Sequence, residues 1–180
     1  MKKFLLISSF VAALSFPALA VPYTLNPAKS KVDFSVSHLK LTQVDGKFNR
    51  FNATIDYDNA SNSLKVLEGE IDITSVDTAN AKRDAHLQAP DMFDAKTYPK
   101  MTFKMTKFEA GKIYGDLTIR STTKPIVLDA IIQHNGKQLD IDATTKILRS
   151  DFDVSWSNIF QDNAVGDEVK ISLKLQANAQ

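Results

Sequence analysis

The sequence predicts an all-β protein: an eight-stranded antiparallel barrel with one short helical insertion after the third strand. Three observations predict it. Apolar and polar residues alternate at period two along most of the chain, as in strands with one dry and one wet face. Most alternating runs are joined by short turns, so consecutive strands pair antiparallel. A single long stretch, Ser75 to Pro99, breaks the alternation and carries good helix formers.

The elements follow in order. Met1-Lys2-Lys3, the apolar run Phe4 to Leu14 and the small-x-small site Ala18-Leu19-Ala20 mark residues 1–20 as a secretory signal peptide, leaving 21–180 as a single domain. Val32, Phe34, Val36 and His38 form the inward face of the first strand. Val44, Gly46 and Phe48 begin the second. Its phase then slips by one and continues through Phe51, Ala53, Ile55 and Tyr57, predicting a bulge at a barrel corner. After a turn over 58–63, the third strand slips the same way, from Leu64 and Val66 to Leu67, Gly69, Ile71 and Ile73.

The insertion should hold a helix from Ala79 to Ala89, capped by Asp77 or Thr78 and ended by Pro90. Met92, Phe93 and Tyr98 then read as plug residues packed on one barrel end. Met101, Phe103 and Met105 make the fourth strand, and Ile113, Gly115, Leu117 and Ile119 the fifth. Thr122 to Pro125 reads as a turn before Ile126, Leu128, Ala130 and Ile132. Asn135-Gly136 is a hairpin signal leading to Leu139, Ile141, Ala143, Thr145 and Ile147. A long irregular loop, Arg149 to Val165, precedes the last strand, Val169, Ile171, Leu173, Leu175 and Ala177.

Eight such strands either stack as a sandwich or close as a barrel. Their length, and the scarcity of connections long enough to cross between sheets, favours the barrel, whose interior suits side chains or one small ligand. Asp140, Asp142, Thr144 and Lys146, like Lys170, Ser172 and Lys174, lie opposite the apolar set. An outer-membrane barrel needs the reverse. The expectation is a barrel wet outside and apolar along a continuous lumen.

Composition removes whole classes of function. The chain has 22 Lys+Arg against 21 Asp+Glu, and loss of Lys2 and Lys3 with the leader removes any basic excess for nucleic acid. No stretch of about 18 apolar residues follows the leader, so no helical membrane span is expected. Without Cys there is no disulfide, thiolate metal site or catalytic thiol. Val21 stands where a bacterial lipoprotein carries its lipidated Cys, which points to the soluble periplasm or the medium.

The chain does not read as an enzyme. His38, His86 and His134 sit in three separate elements without metal-ligand spacing, and there is no nucleophile elbow or phosphate loop. No catalytic residue, metal or cofactor is expected. His38 shares the inward face of its strand, as a partnered core histidine or as a polar contact for an amphiphile's head. Arg83, Asp84 and His86 read as a structural clamp that docks the helix. An acid–base cluster is the weaker reading, because no nucleophile or metal set accompanies them. Phe152, Trp156, Ile159 and Phe160 crowd the last long loop. The loop is a lid over the core, a portal, or an apolar patch for a partner, and Trp156 suits a lipid–water boundary. The residues expected to wall a ligand are Phe34, Val36, His38, Phe48, Phe93, Phe103, Met105, Leu117, Ile119, Trp156 and Phe160.

Short motifs in order carry a resemblance. Phe34-Ser35-Val36-Ser37-His38-Leu39, Gly46-Lys47-Phe48 with Phe51, and Ile73 to Thr78 form the first half. Arg83-Asp84-Ala85-His86-Leu87, Phe93-Asp94 and Tyr98-Pro99 follow. Gly115 to Ile119, Thr123-Lys124-Pro125, Arg149-Ser150-Asp151-Phe152 and Gly166-Asp167-Glu168-Val169 complete the set. Together they resemble the YceI-like family across essentially the whole mature chain. The resemblance implies an extended, lipocalin-like barrel with a helical insertion, in an exported protein. It implies a long apolar ligand such as a polyisoprenoid, an isoprenoid quinone or a fatty-acid derivative. It also implies a cytochrome b561-like membrane partner, and a homodimer as in some members. The alternative is a stress-related interaction module whose barrel is a packed core without ligand. One departure stands out: the family commonly has Gly after the R-x-D-F run, and this chain has Asp153.

Overall fold

A computed structural model of the chain describes residues 20–38, 42–155 and 164–180. The described residues form β1 (Val21–Leu25), β2 (Lys31–His38), β3 (Thr42–Phe48), β4 (Phe51–Asp58), β5 (Ser63–Asp72) and β6 (Val76–Asp77). The helix α1 (Ala81–Leu87) follows, then β7 (Lys100–Glu109), β8 (Lys112–Ile119), β9 (Thr122–Asn135), β10 (Gln138–Leu148) and β11 (Val165–Ala179).

Eight strands close a ring in the order β1-β4-β5-β7-β8-β9-β10-β11, with β11 pairing back onto β1 and every neighbour antiparallel. On its edge away from β10, the 15-residue β11 serves two partners. Its last residues pair with β1, Tyr23 opposite Ala179, and its earlier part pairs with β2, Ile171 opposite Phe34. β3 lies beyond β2 and meets the short β6 at Phe48 and Val76. The first two barrel strands are thus each built from two pieces, β1 with β2 and β3 with β4. The sequence expectation began the first strand only at Val32 and missed β1.

The one-residue phase slips have two different outcomes. Between Phe48 and Phe51 the strand does not bulge but breaks. There the Asn49 and Arg50 N–H groups leave the ladder and donate to the Ser75 carbonyl and hydroxyl, at 3.1 and 3.0 Å. Within β5 the slip is a true bulge. The register jumps from Asp56 opposite Val66 to Tyr57 opposite Leu64, so Lys65 is the extra residue and both Leu64 and Leu67 stay buried.

Three local expectations are corrected. The helix is shorter than 79–89 and starts after Asn80, whose side chain accepts from the Lys82 and Arg83 N–H groups, both at 3.1 Å. Asp77 instead accepts from the Ala79 N–H at 2.9 Å and shapes the approach, with Ala79 in the left-handed region at φ 58°. The segment 122–125 is not a turn. Arg120, at φ 54°, turns the chain, and Pro125 lies inside β9 opposite Asp116. The segment after Leu148 opens with a 3-10 turn, Arg149–Phe152, and β11 begins at Val165. That turn ends on Asp153 at φ 56°, ψ 31°, the left-handed cap that Gly usually fills and that Asp tolerates.

The interior is divided, which corrects the continuous lumen. Towards the β1 end, Tyr23, Ile55, Tyr57, Leu67, Ile113, Leu139 and Ile141 fill the barrel. The His134 ring packs 6.2 Å from Tyr23 and 5.6 Å from Tyr57. A second cluster gathers at the α1 end around Phe48, Ile73, Met92, Met101, Leu117, Ile119 and Phe152.

Three carboxylates held by the fold predict its response to acid. Asp58, 4% exposed, sits below the usual carboxylate range mainly because Ser61 hydrogen-bonds it. Thr74 and Arg50 lower Asp72, and the Ala79 N–H lowers Asp77. A carboxylate whose pKa is depressed on folding stabilises the native state above its unfolded pKa, and that contribution is lost as pH falls through the folded value. Thermal unfolding temperature should therefore hold from neutral pH to about 4 and fall steadily below it. A calorimetric pH series measures this, and Asp58→Asn and Asp72→Asn should each flatten the acid limb.

Candidate ligand-binding cavity

The α1 end of the barrel holds a cavity of about 300 Å³. Alternation in the strands supplies its wall: Val32, Phe34, Val36 and His38 from β2, Val44 and Phe48 from β3, Ile71 from β5, and Met101 and Phe103 from β7. Leu117 and Ile119 of β8, Ile126 and Leu128 of β9, Thr145 and Ile147 of β10, and Val165, Val169, Ile171 and Leu173 of β11 complete the ring. Leu87, Met92 and Phe93 of the insertion and Phe152 and Val154 of the 3-10 turn region close over it.

Two glycines set its shape. A Cβ on Gly46 would lie 2.3 Å from Cζ of Phe34, and one on Gly115 would lie 2.3 Å from Cζ of Phe103. Each Phe ring therefore lies flat across a neighbouring strand, where any other residue would push it into the cavity. Phe34 and Phe48 have ring centroids 5.5 Å apart, and Phe93 meets Phe48 edge-on at 6.4 Å. The insertion is thus seated on the barrel wall by aromatic contact.

Eight of the expected wall residues line this space: Phe34, Val36, His38, Phe48, Phe93, Phe103, Leu117 and Ile119. Met105 does not. It lies one inward position further along β7 than Phe103 and packs against the filled half. Trp156 and Phe160, with the proposed lid, lie outside the described residues. Met92, Met101, Ile126, Thr145, Ile147 and Arg149 also line the cavity and were not among the expected ligand contacts.

Arg83 and Asp84 converge on one residue, Thr78. Asp84 Oδ1 accepts from both the Thr78 N–H at 2.9 Å and the Thr78 hydroxyl. Arg83 Nε donates to the Thr78 hydroxyl and its NH2 to the Thr78 carbonyl, both at 2.7 Å. The clamp therefore acts within the insertion, tying α1 to the residue after β6 rather than directly to the rim. His86 contributes separately, with Nε2 at 3.1 Å from Asp91 Oδ2. Asp84→Ala should cost about 1–3 kcal/mol, because a buried N–H and hydroxyl lose their acceptor. Thermal unfolding followed by circular dichroism would register a drop of several degrees. Asp84→Asn should recover part of it, since a single oxygen receives both bonds.

The two late motifs knit to each other. Arg149, buried in the wall, donates to the carbonyls of Val154 at 2.9 Å, Gly166 at 3.1 Å and Val165 at 3.2 Å. Asp167 returns the contact by accepting from the Ser150 N–H at 2.9 Å and hydroxyl at 2.7 Å. Arg149-Ser150-Asp151-Phe152 and Gly166-Asp167-Glu168-Val169 therefore form one corner that seats Phe152 over the cavity.

The chemistry of this wall is burial. Its polar side chains are few, and those of Thr78, Arg83, Thr145 and Arg149 already bond protein groups. Among the described residues no group of three His, Asp or Glu could hold a metal ion, and no helix is long and apolar enough to cross a membrane.

Residues 23–177 match the family model for the YceI-like domain. A UPF0312 protein of Vibrio cholerae is 31% identical over 169 residues, covering 86% of this chain and 89% of its own. The crystal structure of BcnA from Burkholderia cenocepacia superposes with a TM-score of 0.77 at 28% identity, over 84% of this chain and 98% of that one. A polyisoprenoid-binding domain from Saccharophagus degradans, implicated in plant cell wall breakdown, shares the fold at a TM-score of 0.71 and 16% identity. That match covers 89% of this chain and 99% of that one.

Proposed function

The chain belongs to the YceI-like family, and on that premise we propose that it is a non-enzymatic carrier or scavenger of an isoprenoid-type lipid held in the α1 end of its barrel. One observation carries the reading: a cavity of about 300 Å³ whose wall is almost wholly aliphatic and aromatic. Such a space rewards an apolar chain and little else. Each methylene taken from water contributes roughly 0.8 kcal/mol, so a tail binds without strong polar contact. Because most polar wall groups are already bonded, selectivity should follow chain length and width. His38, at the end of β2, is the wall residue best suited to meet a polar head.

The isoprenoid class, polyisoprenoid or quinone, is supported by the polyisoprenoid-binding domain that shares this fold. The leader at residues 1–20 supports export to the periplasm or the medium. From the family resemblance, the reading includes quinone exchange with a cytochrome b561-like membrane protein, and a homodimer.

The test is extraction of the purified protein with organic solvent and mass spectrometry of the extract, followed by titration of the stripped protein with a polyisoprenoid alcohol. An isoprenoid lipid near one per chain, and saturable rebinding, are expected. No lipid in the extract and no rebinding would leave an interaction module with an idle cavity.

A further inference from the structure

On one side of the cavity the barrel wall is not a continuous ladder. β9 and β10 pair from Asn135 opposite Gln138 to Asp129 opposite Thr144, and the pairing ends there. Beyond that point β9 runs on to Thr122 paired only with β8, and β10 runs on to Leu148 paired only with β11. Two strand edges face each other across a seam.

The sequence explains why they do not zip. The Ala130 N–H donates to the Gly111 carbonyl, on the β8 side, while the Val127 carbonyl accepts from Thr145, on the β10 side. Backbone groups of alternate residues point to opposite edges, so those of Asp129, Val127 and Pro125 are aimed at β10. Proline has no N–H to give, and inside a strand it belongs on an unpaired edge. Side chains bridge the seam instead. At one end the Thr145 hydroxyl donates to the Val127 carbonyl at 2.7 Å. At the other, Arg120 donates to the Asp153 carbonyl at 2.6 Å and the Thr122 hydroxyl to the Asp153 carboxylate at 3.1 Å.

What lies behind and before the seam gives it a use. Ile126, Leu128, Thr145 and Ile147, directly behind it, are cavity wall. Val127 and Leu148, on its outer lips, are 40% and 44% exposed, and Ile131, further along β9, is 65% exposed. Among the described residues the exposed large hydrophobics thus all lie on these two strands. Single exposed apolar residues mean little, but apolar lips on both sides of a gap that backs onto an apolar cavity mark a path.

We propose that the seam between β9 and β10 is a lateral doorway through which the apolar chain of a ligand slides into and out of the cavity. The inference rests on the lipid-binding reading and adds the route. Opening breaks side-chain bonds and no ladder bond, so the ring keeps its shape while the lips part.

The chain has no Cys, so a pair introduced at Val127→Cys and Lys146→Cys, which would face each other if the ladder continued, can be joined specifically by a short bismaleimide. The probe is retinol, an isoprenoid whose fluorescence reports burial, delivered from phosphatidylcholine vesicles and followed by stopped flow. A doorway lies on the path and not at the destination, so stapling should slow uptake and release at least tenfold and leave Kd unchanged. Thr122→Val, which removes one bridge at a residue outside the cavity wall, should speed both steps several-fold, again at constant Kd. Retinol uptake by the stapled protein at the unstapled rate would overturn the doorway while the binding reading stands. Uptake and release at unaltered rates in Thr122→Val would also overturn it. If the unstapled protein binds neither retinol nor a polyisoprenoid alcohol, the binding reading fails first and takes the doorway with it.

Discussion

Leu117→Asp should leave the chain without a cooperative unfolding transition, or with one too weak to hold a ligand. Leu117 is 7% exposed, stands on the cavity wall, and is flanked across the ladder by Phe103 and Lys124. Truncating a buried leucine costs about 2–5 kcal/mol by itself. A carboxyl in a dry wall adds the loss of hydration, which drives it to take up a proton rather than stay charged. The sum rivals the roughly 5–15 kcal/mol that holds a typical domain together. Urea unfolding measures it, with Leu117→Met as a control that should cost less than about 1.5 kcal/mol. The pH dependence has a definite sign. The introduced carboxyl has a raised pKa in the folded state, so the native form binds more protons and its stability declines as pH rises above the unfolded value. The deficit should be smallest near pH 4 or below and grow towards neutrality.

Arg149→Ala should produce the second large loss, about 3–5 kcal/mol. Arg149 is 9% exposed and its guanidinium reaches three backbone carbonyls at 2.9 to 3.2 Å. Hydrogen bonds from a charged donor contribute about 1.5–3 kcal/mol each, and the abandoned carbonyls would face apolar neighbours. Arg149→Lys should recover only part, since an ammonium is a single point where the guanidinium is a planar fork. Hydrogen exchange gives a local reading beside global stability. Amides of Val165 to Glu168 should exchange faster in the alanine variant while those of β8 keep their relative protection.

The period-two pattern carried most of the fold, and its failures have physical causes. Each strand of the closed ring from β5 to β11 is present as an alternating run, because one face is dry and the other wet. β1 escaped because a strand of five residues, Val21–Leu25, gives alternation little room to show. The break at Asn49-Arg50 and the bulge at Lys65 leave the same one-residue slip in the sequence. Only the hydroxyl and carbonyl of Ser75, more than twenty residues away, separate them. Pro125 reads as turn in the sequence because proline in a strand is uncommon, and the unpaired edge that permits it lies in tertiary structure. At the cavity, strand parity located Phe34, Phe48, Phe103 and Leu117, whereas depth along the barrel is invisible to parity and misplaced Met105. Arg149 stood within a recognised motif, but a lone basic residue does not announce that its partners are main-chain carbonyls.

Closure of the ring joins β1 to β11. Tyr23 lies opposite Ala179, and the Gln180 N–H donates to the Pro22 carbonyl at 3.1 Å. The hairpins of the barrel are local and can form as the chain emerges, but the final seal brings together segments separated by on the order of 150 residues. Such high contact order makes completion of the barrel a late and slow event, and until then β11 offers an unpaired edge to other chains. The same proximity makes the molecule a natural subject for circular permutation. In a permutant of residues 21–180, a short linker from Gln180 to Val21, with new ends at the Asn135–Gly136 hairpin, would turn the most distant pairing into the most local one. It would leave the cavity wall untouched.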